Sequence, residues 1–350
     1  MADIAKNSSK KIFFAVCRLA VTIGILLWVF RSPDLRENIA EAFAKADTIW
    51  ILIGFPVALG GELADILRLN VLMRVQGMVL PWGSMLRMLF IGLFFNLIMP
   101  GNTGSISARL YFLFTRFPNR KKQVVLTLVM DRLISITALA ITSFTTTLLR
   151  WNWLQRTTEA SVLLWILILL MTGSVILTAG SFVISGFNLL SKIPTNFPIR
   201  RQLIEAADAY RLFARDKKSL SYALLLSLPT LFLFYGTFYC AGRALGTGIS
   251  FLDMVTIMPI VNAITGLPIS LSGIGVRESL LEVLLKDLCN LPAAIGVSIS
   301  VIGYSYFVLF GVIGGIIYLV CSGKGQRGTG QISGKLLRRL RERIRIVLRK

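Results

Sequence analysis

The chain contains no histidine. This removes the general base of Ser-His-Asp and Cys-His arrangements, and the commonest transition-metal ligand. Cysteine is sparse. Cys17, Cys240, Cys289 and Cys321 lie far apart, in or beside apolar runs, with no C-x-x-C among them. Neither a zinc site nor a redox pair is expected, and the four read as small hydrophobes. No G-x-x-x-x-G-K-[ST] run occurs, so direct use of ATP is not expected. No metal or organic cofactor is implied. Charge is also thin, at 16% of residues against roughly 25% in an ordinary soluble domain. Acidic residues are the scarcer kind, with 17 Asp and Glu against 38 Lys and Arg.

What the chain has in plenty is hydrophobic length. Of its 350 residues, 55% are hydrophobic. Several runs exceed the roughly 20 residues that a helix needs to cross a bilayer. The expected class is an all-α polytopic membrane protein with no separate soluble catalytic domain. A net charge of +21 would point to nucleic acid in a soluble protein. Here the basic residues lie between apolar runs and at the C-terminus. That placement fits cytoplasmic loops facing anionic headgroups, and no nucleic-acid partner is expected. The first run, Ile12 to Phe30, follows Lys6, Lys10 and Lys11. Phe30-Arg31-Ser32-Pro33 offers no small-residue cleavage site, so the run reads as a retained helix.

Uninterrupted spans are expected at about 12–30, 48–70, 123–149, 160–186, 219–242 and 293–321. Two further apolar stretches, 85–115 and 254–288, are broken in the middle. The breaks read Met99-Pro100-Gly101-Asn102-Thr103-Gly104-Ser105 and Leu267-Pro268-Ile269-Ser270-Leu271-Ser272-Gly273-Ile274-Gly275. Lipid cannot satisfy freed backbone groups, so a break at membrane depth must face protein or a wet cavity. Each stretch is expected to form a helix–break–helix hairpin that enters and leaves on one side.

Loop charges support this topology. Segment 187–218 holds seven Lys or Arg against three acids, and 323–350 holds ten against Glu342 alone. These segments, the cluster Arg116, Arg120, Lys121 and Lys122, and the N-terminus are assigned to the cytoplasm. Loops 31–47, 150–159 and 243–253 fall outside. The result is six spanning helices plus two hairpins, arranged as inverted repeats over about 12–149 and 160–321. Pro100 precedes Arg109 by nine positions, and Pro268 precedes Arg277 by the same nine. Broken helices at corresponding places in two halves are the sequence pointer to a transporter site. The alternative is eight ordinary spans, which would place 116–122 and 187–218 outside, against their charge. The domain expected is 1–322 in the membrane. A basic tail, 323–350, follows, with an amphipathic stripe through Leu336, Leu337, Leu340, Ile344 and Val347. A second amphipathic stretch is read at 200–215.

Ionisable residues inside spans are functional candidates by default. Glu62, Asp65 and Arg68 follow one side of the second span. Asp131 and Arg132 lie in the third uninterrupted span, 123–149, and Arg109, Arg277 and Glu278 follow the two breaks. A guanidinium is always charged and meets a phosphate with two parallel hydrogen bonds. Freed N–H groups at a break favour an anion as well. Arg109 and Arg277 therefore suit an anionic lipid headgroup. The alternative is that they pair with Asp65, Asp131, Glu278 or Glu282 and lock helices together. Asp131 and Arg132 themselves read best as a structural pair. Glu278 and Glu282 share a helical face, but nothing else supports glycosidase-type chemistry.

At these residues the chain resembles the transmembrane, flippase-like region of lysylphosphatidylglycerol synthases and their stand-alone relatives. The resemblance rests on Asn96-Leu97-Ile98-Met99-Pro100-Gly101 with Gly104 to Arg109-Leu110-Tyr111, and on Asp131-Arg132-Leu133. The clearest match is Pro268-Ile269-Ser270-Leu271-Ser272-Gly273-Ile274-Gly275-Val276-Arg277-Glu278. One departure is Ile106, where the family often carries an acid. Only 29 residues follow Cys321, so the soluble domain of the aminoacyl-transferring members is not expected and the chain is read as no enzyme. The resemblance implies a bacterial inner membrane and a polar lipid moved or bound. Both termini are expected in the cytoplasm. The site residues expected to contact substrate are Asn96, Arg68, Arg109, Asp131, Arg132, Ser270, Ser272, Arg277 and Glu278. The expected partners are membrane lipids with anionic headgroups. The alternative is a membrane partner that supplies lipid to a separate lipid-modifying or cell-envelope enzyme.

Overall fold

A computed structural model describes residues 44, 46–99, 103–158, 161–169, 172–173, 216–267, 270 and 272–323. Among them, every regular element is helical. Four helices are long and apolar enough to cross a membrane: α1 (Thr48–Val75), α4 (Lys121–Leu149), α5 (Lys217–Ala244) and α8 (Ala293–Gly323). They contain the expected spans at 48–70, 123–149, 219–242 and 293–321, each a few residues longer. Longer helices follow from physics, since backbone groups leaving the hydrocarbon still need partners. The expected spans at 12–30 and most of 160–186 lie outside the described residues, as do the stretches 200–215 and 335–349. The outer surface is apolar, as in a protein solvated by lipid. Leu52, Phe144, Leu149 and Leu319 are each more than 60% exposed.

The two interrupted stretches form pairs of short helices. The first pair is α2 (Trp82–Ile98) and α3 (Thr103–Arg116). The second is α6 (Phe251–Thr265) and α7 (Val276–Cys289). Their lengths run from 14 to 17 residues, so each rises roughly 21–26 Å and falls short of a hydrocarbon core of about 30 Å. Pro100, Gly101 and Asn102, and in the second break Pro268, Ile269 and Leu271, lie outside the described residues. Beside the first break the arms touch. A Cβ at Gly104 would collide with the backbone of Phe95, so only glycine allows this approach. In the second break Ser272, Gly273 and Gly275 all have positive φ, at 51°, 75° and 85°. The chain turns there and enters α7, with Arg277 N–H donating back to the Gly273 carbonyl at 2.9 Å.

Helix α1 packs along α5, with Gly61 against Leu233 and Gly236 against Val57. Each begins with an aspartate cap: Asp47 accepts from Ile49 N–H at 2.9 Å, and Asp216 from Ser219 N–H at 3.1 Å. Hydrogen bonding to Ser219 lowers the Asp216 carboxyl below its usual range. Apolar side chains fill each half. Ile66, Met73, Met88 and Leu113 pack together in the first, and Phe238, Ile257, Leu281 and Leu285 in the second.

Helix α8 touches both broken pairs. Its early Gly296 lies against the α7 backbone at Glu282, and Ser300 meets Glu278. Its later Gly311 and Gly314 lie against α2 at Leu97 and Phe90. Thus α7 and α2 follow one another along a single long helix. Helix α4 likewise contacts both α3 and α6.

Loops gather at two ends. At one, Asp47 N–H donates to the Ala244 carbonyl at 2.7 Å, and Arg150 pairs with Asp253 at 3.0 Å. Thr157 donates to Asp287 at 3.5 Å beside them. At the other, Arg120 donates to the Gly77 carbonyl at 2.8 Å.

Candidate functional site: a charged cavity where the breaks meet

A cavity of about 250 Å³ lies among α1–α8. The middle of α1 brings Glu62, Asp65 and Arg68 to it. Helix α3 adds Arg109, α4 adds Asp131 and Arg132, and α7 adds Arg277. Four arginines thus face three carboxylates, a formal excess of one positive charge.

Most of that charge is locked. Arg68 Nη2 donates to Asp65 Oδ1 at 2.6 Å, and its Nε to Asp131 Oδ1 at 2.7 Å. Its third direction is taken by the Ser227 hydroxyl at 3.3 Å. Arg109 Nη2 meets Asp65 Oδ2 at 2.6 Å, and Nη1 lies 3.7 Å from Asp131 Oδ2. Two arginines and two aspartates from three helices therefore form a buried square. Their charges offset one another, the arrangement that makes a buried charge tolerable, and only Arg109 Nε among their polar atoms is buried without a partner. Of the two sequence readings of Arg109, the helix-locking one describes its geometry. The sequence expectation that Asp131 and Arg132 form a structural pair is not met: Asp131 pairs with Arg68 and Arg109 instead. Adjacent helical residues point about 100° apart, and Asp131 turns inward to Arg68 and Arg109. Arg132 is exposed on the cavity side of α4 and joins no ion pair among the described residues.

Arg277 differs. It is only 5% exposed, and no carboxylate lies within ion-pair distance of it among the described residues. Its Nη2 donates to the Ser272 carbonyl at 2.9 Å, while Nη1 is buried with no partner. The guanidinium lies 3.8 Å from the ring centre of Tyr304 on α8. A cation over an aromatic face in a desolvated site is held by the ring quadrupole. Glu278 does not neutralise it. One Glu278 oxygen accepts from Gly275 N–H at 2.6 Å and the other from the Ser300 hydroxyl at 2.7 Å. It caps α7 and ties it to α8.

The two breaks touch at the cavity: the Ser272 hydroxyl donates to the Asn96 carbonyl. Ser272 and Asn96 both line the space, whereas Ser270 is buried away from it. Sequence reasoning named Glu62 and Asp65 as ionisable candidates without placing them in the site. It missed Tyr304, Asn262 and Thr265, which also line the cavity. Nothing local marks those three, because their neighbours come from distant segments. Ile106, the departure from the family pattern, does line the cavity. Among the described residues, no group of three or more His, Cys, Asp or Glu is placed to hold a metal ion.

A family model described as the lysylphosphatidylglycerol synthase TM region matches residues 15–315. No curated protein matches the sequence.

Proposed function

We propose a function that starts from one premise: the chain belongs to the family of lysylphosphatidylglycerol synthase transmembrane regions. It is a membrane protein with a lipid-related role. Within that role, our reading is a flippase-like transporter, not an enzyme, that passes a phospholipid or similar polar lipid between leaflets of the bacterial inner membrane. The observation that carries the reading is Arg277. A buried guanidinium with an unpartnered N–H, aimed into a polar cavity, is an anion site awaiting its ligand. The cavity has room for a phosphate-bearing headgroup, while acyl chains would remain in lipid. Arg132, exposed on the cavity side, offers a second cation along the path.

In this reading the short helix pairs are re-entrant hairpins, the chain has six spans, and the halves are inverted repeats. Their lengths support it. So does the packing, in which partners exchange between halves. Helix α1 meets α5, while α2 meets α8 and α6 meets α4. Helix α3 meets α4, and α7 meets α8. The loops gathered with Arg150 and Asp253 are those the charge rule assigns outside. Both termini are then cytoplasmic, and the hairpins open to opposite sides.

The test is lipid translocation in liposomes holding the purified protein, with a labelled phosphatidylglycerol as probe. Arg277→Gln is expected to lower the rate about 100-fold, the scale of a lost charge-assisted pair. Equal rates for parent and variant would sink the reading. The family's description as part of a synthase favours a second reading, a membrane partner that delivers lipid to a separate modifying enzyme. Co-purification with such an enzyme and no translocation by the protein alone would favour it.

A further inference from the structure

Glu62 is the carboxyl that the ion network leaves out. Asp65 and Asp131 are each held by Arg68 and Arg109, so a proton on either would break a pair. Glu62 lies one turn before Asp65 on α1 and lines the same cavity. Among the described residues it accepts no hydrogen bond and joins no ion pair. Its charge is therefore the one in the cavity that can change without dismantling the square.

The groups facing it are few. Its own helix presents Asp65 and Arg68. Helices α3 and α4 present Arg109, Asp131 and Arg132. Helices α7 and α8 present Arg277 and Tyr304. Helices α2, α5 and α6 bring only neutral polar and apolar side chains, such as Asn96, Thr230 and Asn262. With Glu62 ionised, the cavity carries one excess positive charge; with Glu62 protonated, it carries two. An anion binds more tightly to the second state, and by linkage its binding favours the proton. A cavity loaded with one proton and one phosphodiester has the same net charge as the empty, ionised cavity. Both forms then change conformation at similar electrostatic cost.

We propose that Glu62 is the proton site of a proton–anionic lipid symport, an inference that rests on the lipid-carrying reading of the same cavity. One proton enters with each phosphodiester headgroup and leaves with it on the far side. The proton gradient then supplies the drive that no nucleotide motif provides.

The experiment uses the full chain in detergent, titrated with short-chain phosphatidylglycerol from about pH 5 to about pH 9, a range that brackets ordinary and strongly perturbed glutamates. The parent is expected to lose affinity about tenfold with rising pH, within the usual range of coupling free energies. Glu62→Gln should bind at the low-pH affinity throughout, and Glu62→Asp should keep the parent's slope. A pH-independent parent, or Glu62→Gln with the parent's slope, overturns the proton assignment and leaves lipid carriage standing. Arg277→Gln should bind more weakly at every pH; if it binds like the parent, lipid carriage itself falls. Inorganic phosphate is expected to compete weakly. Tight phosphate binding with the same pH slope would assign the cavity to a soluble anion and overturn the lipid reading.

Discussion

Arg109 and Arg277 occupy matching places after the two breaks, nine residues past Pro100 and Pro268. Their surroundings could hardly differ more. Arg109 faces two aspartates and is part of a square that joins three helices. Arg277 faces a carbonyl, an aromatic ring and an open cavity. Equivalent spacing after a break thus does not mean equivalent surroundings. The neighbouring helices decide whether a buried guanidinium is tied into an ion network or left facing a cavity.

The largest test of that contrast is stability. Arg109→Gln leaves Asp65 without a partner it needs and should destabilise the protein by about 3–5 kcal/mol, the usual cost of breaking a buried pair. Arg277→Gln removes no ion pair and should cost about 1 kcal/mol. Thermal unfolding in detergent measures both, and equal losses would erase the distinction.

A double-mutant cycle sharpens it. Arg109→Gln combined with Asp65→Asn should recover about 1–3 kcal/mol relative to the sum of the single losses. The same cycle on Arg277 and Glu278 should recover about 0.5 kcal/mol or less, the level of independent sites. Strong coupling between Arg277 and Glu278 would contradict the capping role of that carboxylate.

The smallest effect concerns the ring beneath Arg277. Tyr304→Leu should weaken phosphatidylglycerol binding about fivefold, a cation–π contribution of about 1 kcal/mol. Tyr304→Phe should leave it near the parent value. Binding titration resolves the two, and matching losses would mean that the hydroxyl, not the ring, matters.

Much of this was legible in the sequence, for different reasons. Long apolar runs fixed α1, α4, α5 and α8, because length and hydropathy are local properties. The Pro/Gly/Ser segments marked where α2 and α6 stop, because they remove helical hydrogen bonds. Pairing was not legible. Asp131 looked like the partner of Arg132 because they are neighbours in sequence, yet helical geometry sends them apart. Arg68 reaches Asp131 across 63 positions, and nothing in either segment announces it. Tyr304 was hidden likewise, one aromatic among many on α8.

Helix α8 carries one further implication. It is 31 residues long, with α7 packed against its first half and α2 against its second. If the two broken pairs gate opposite sides, as the transport proposal holds, a stiff rod in contact with both behaves as a seesaw. Tilt it about its middle, and pressure on one doorway becomes slack at the other. Alternating exposure would then need no relay of signals through the protein, only the rocking of a single beam.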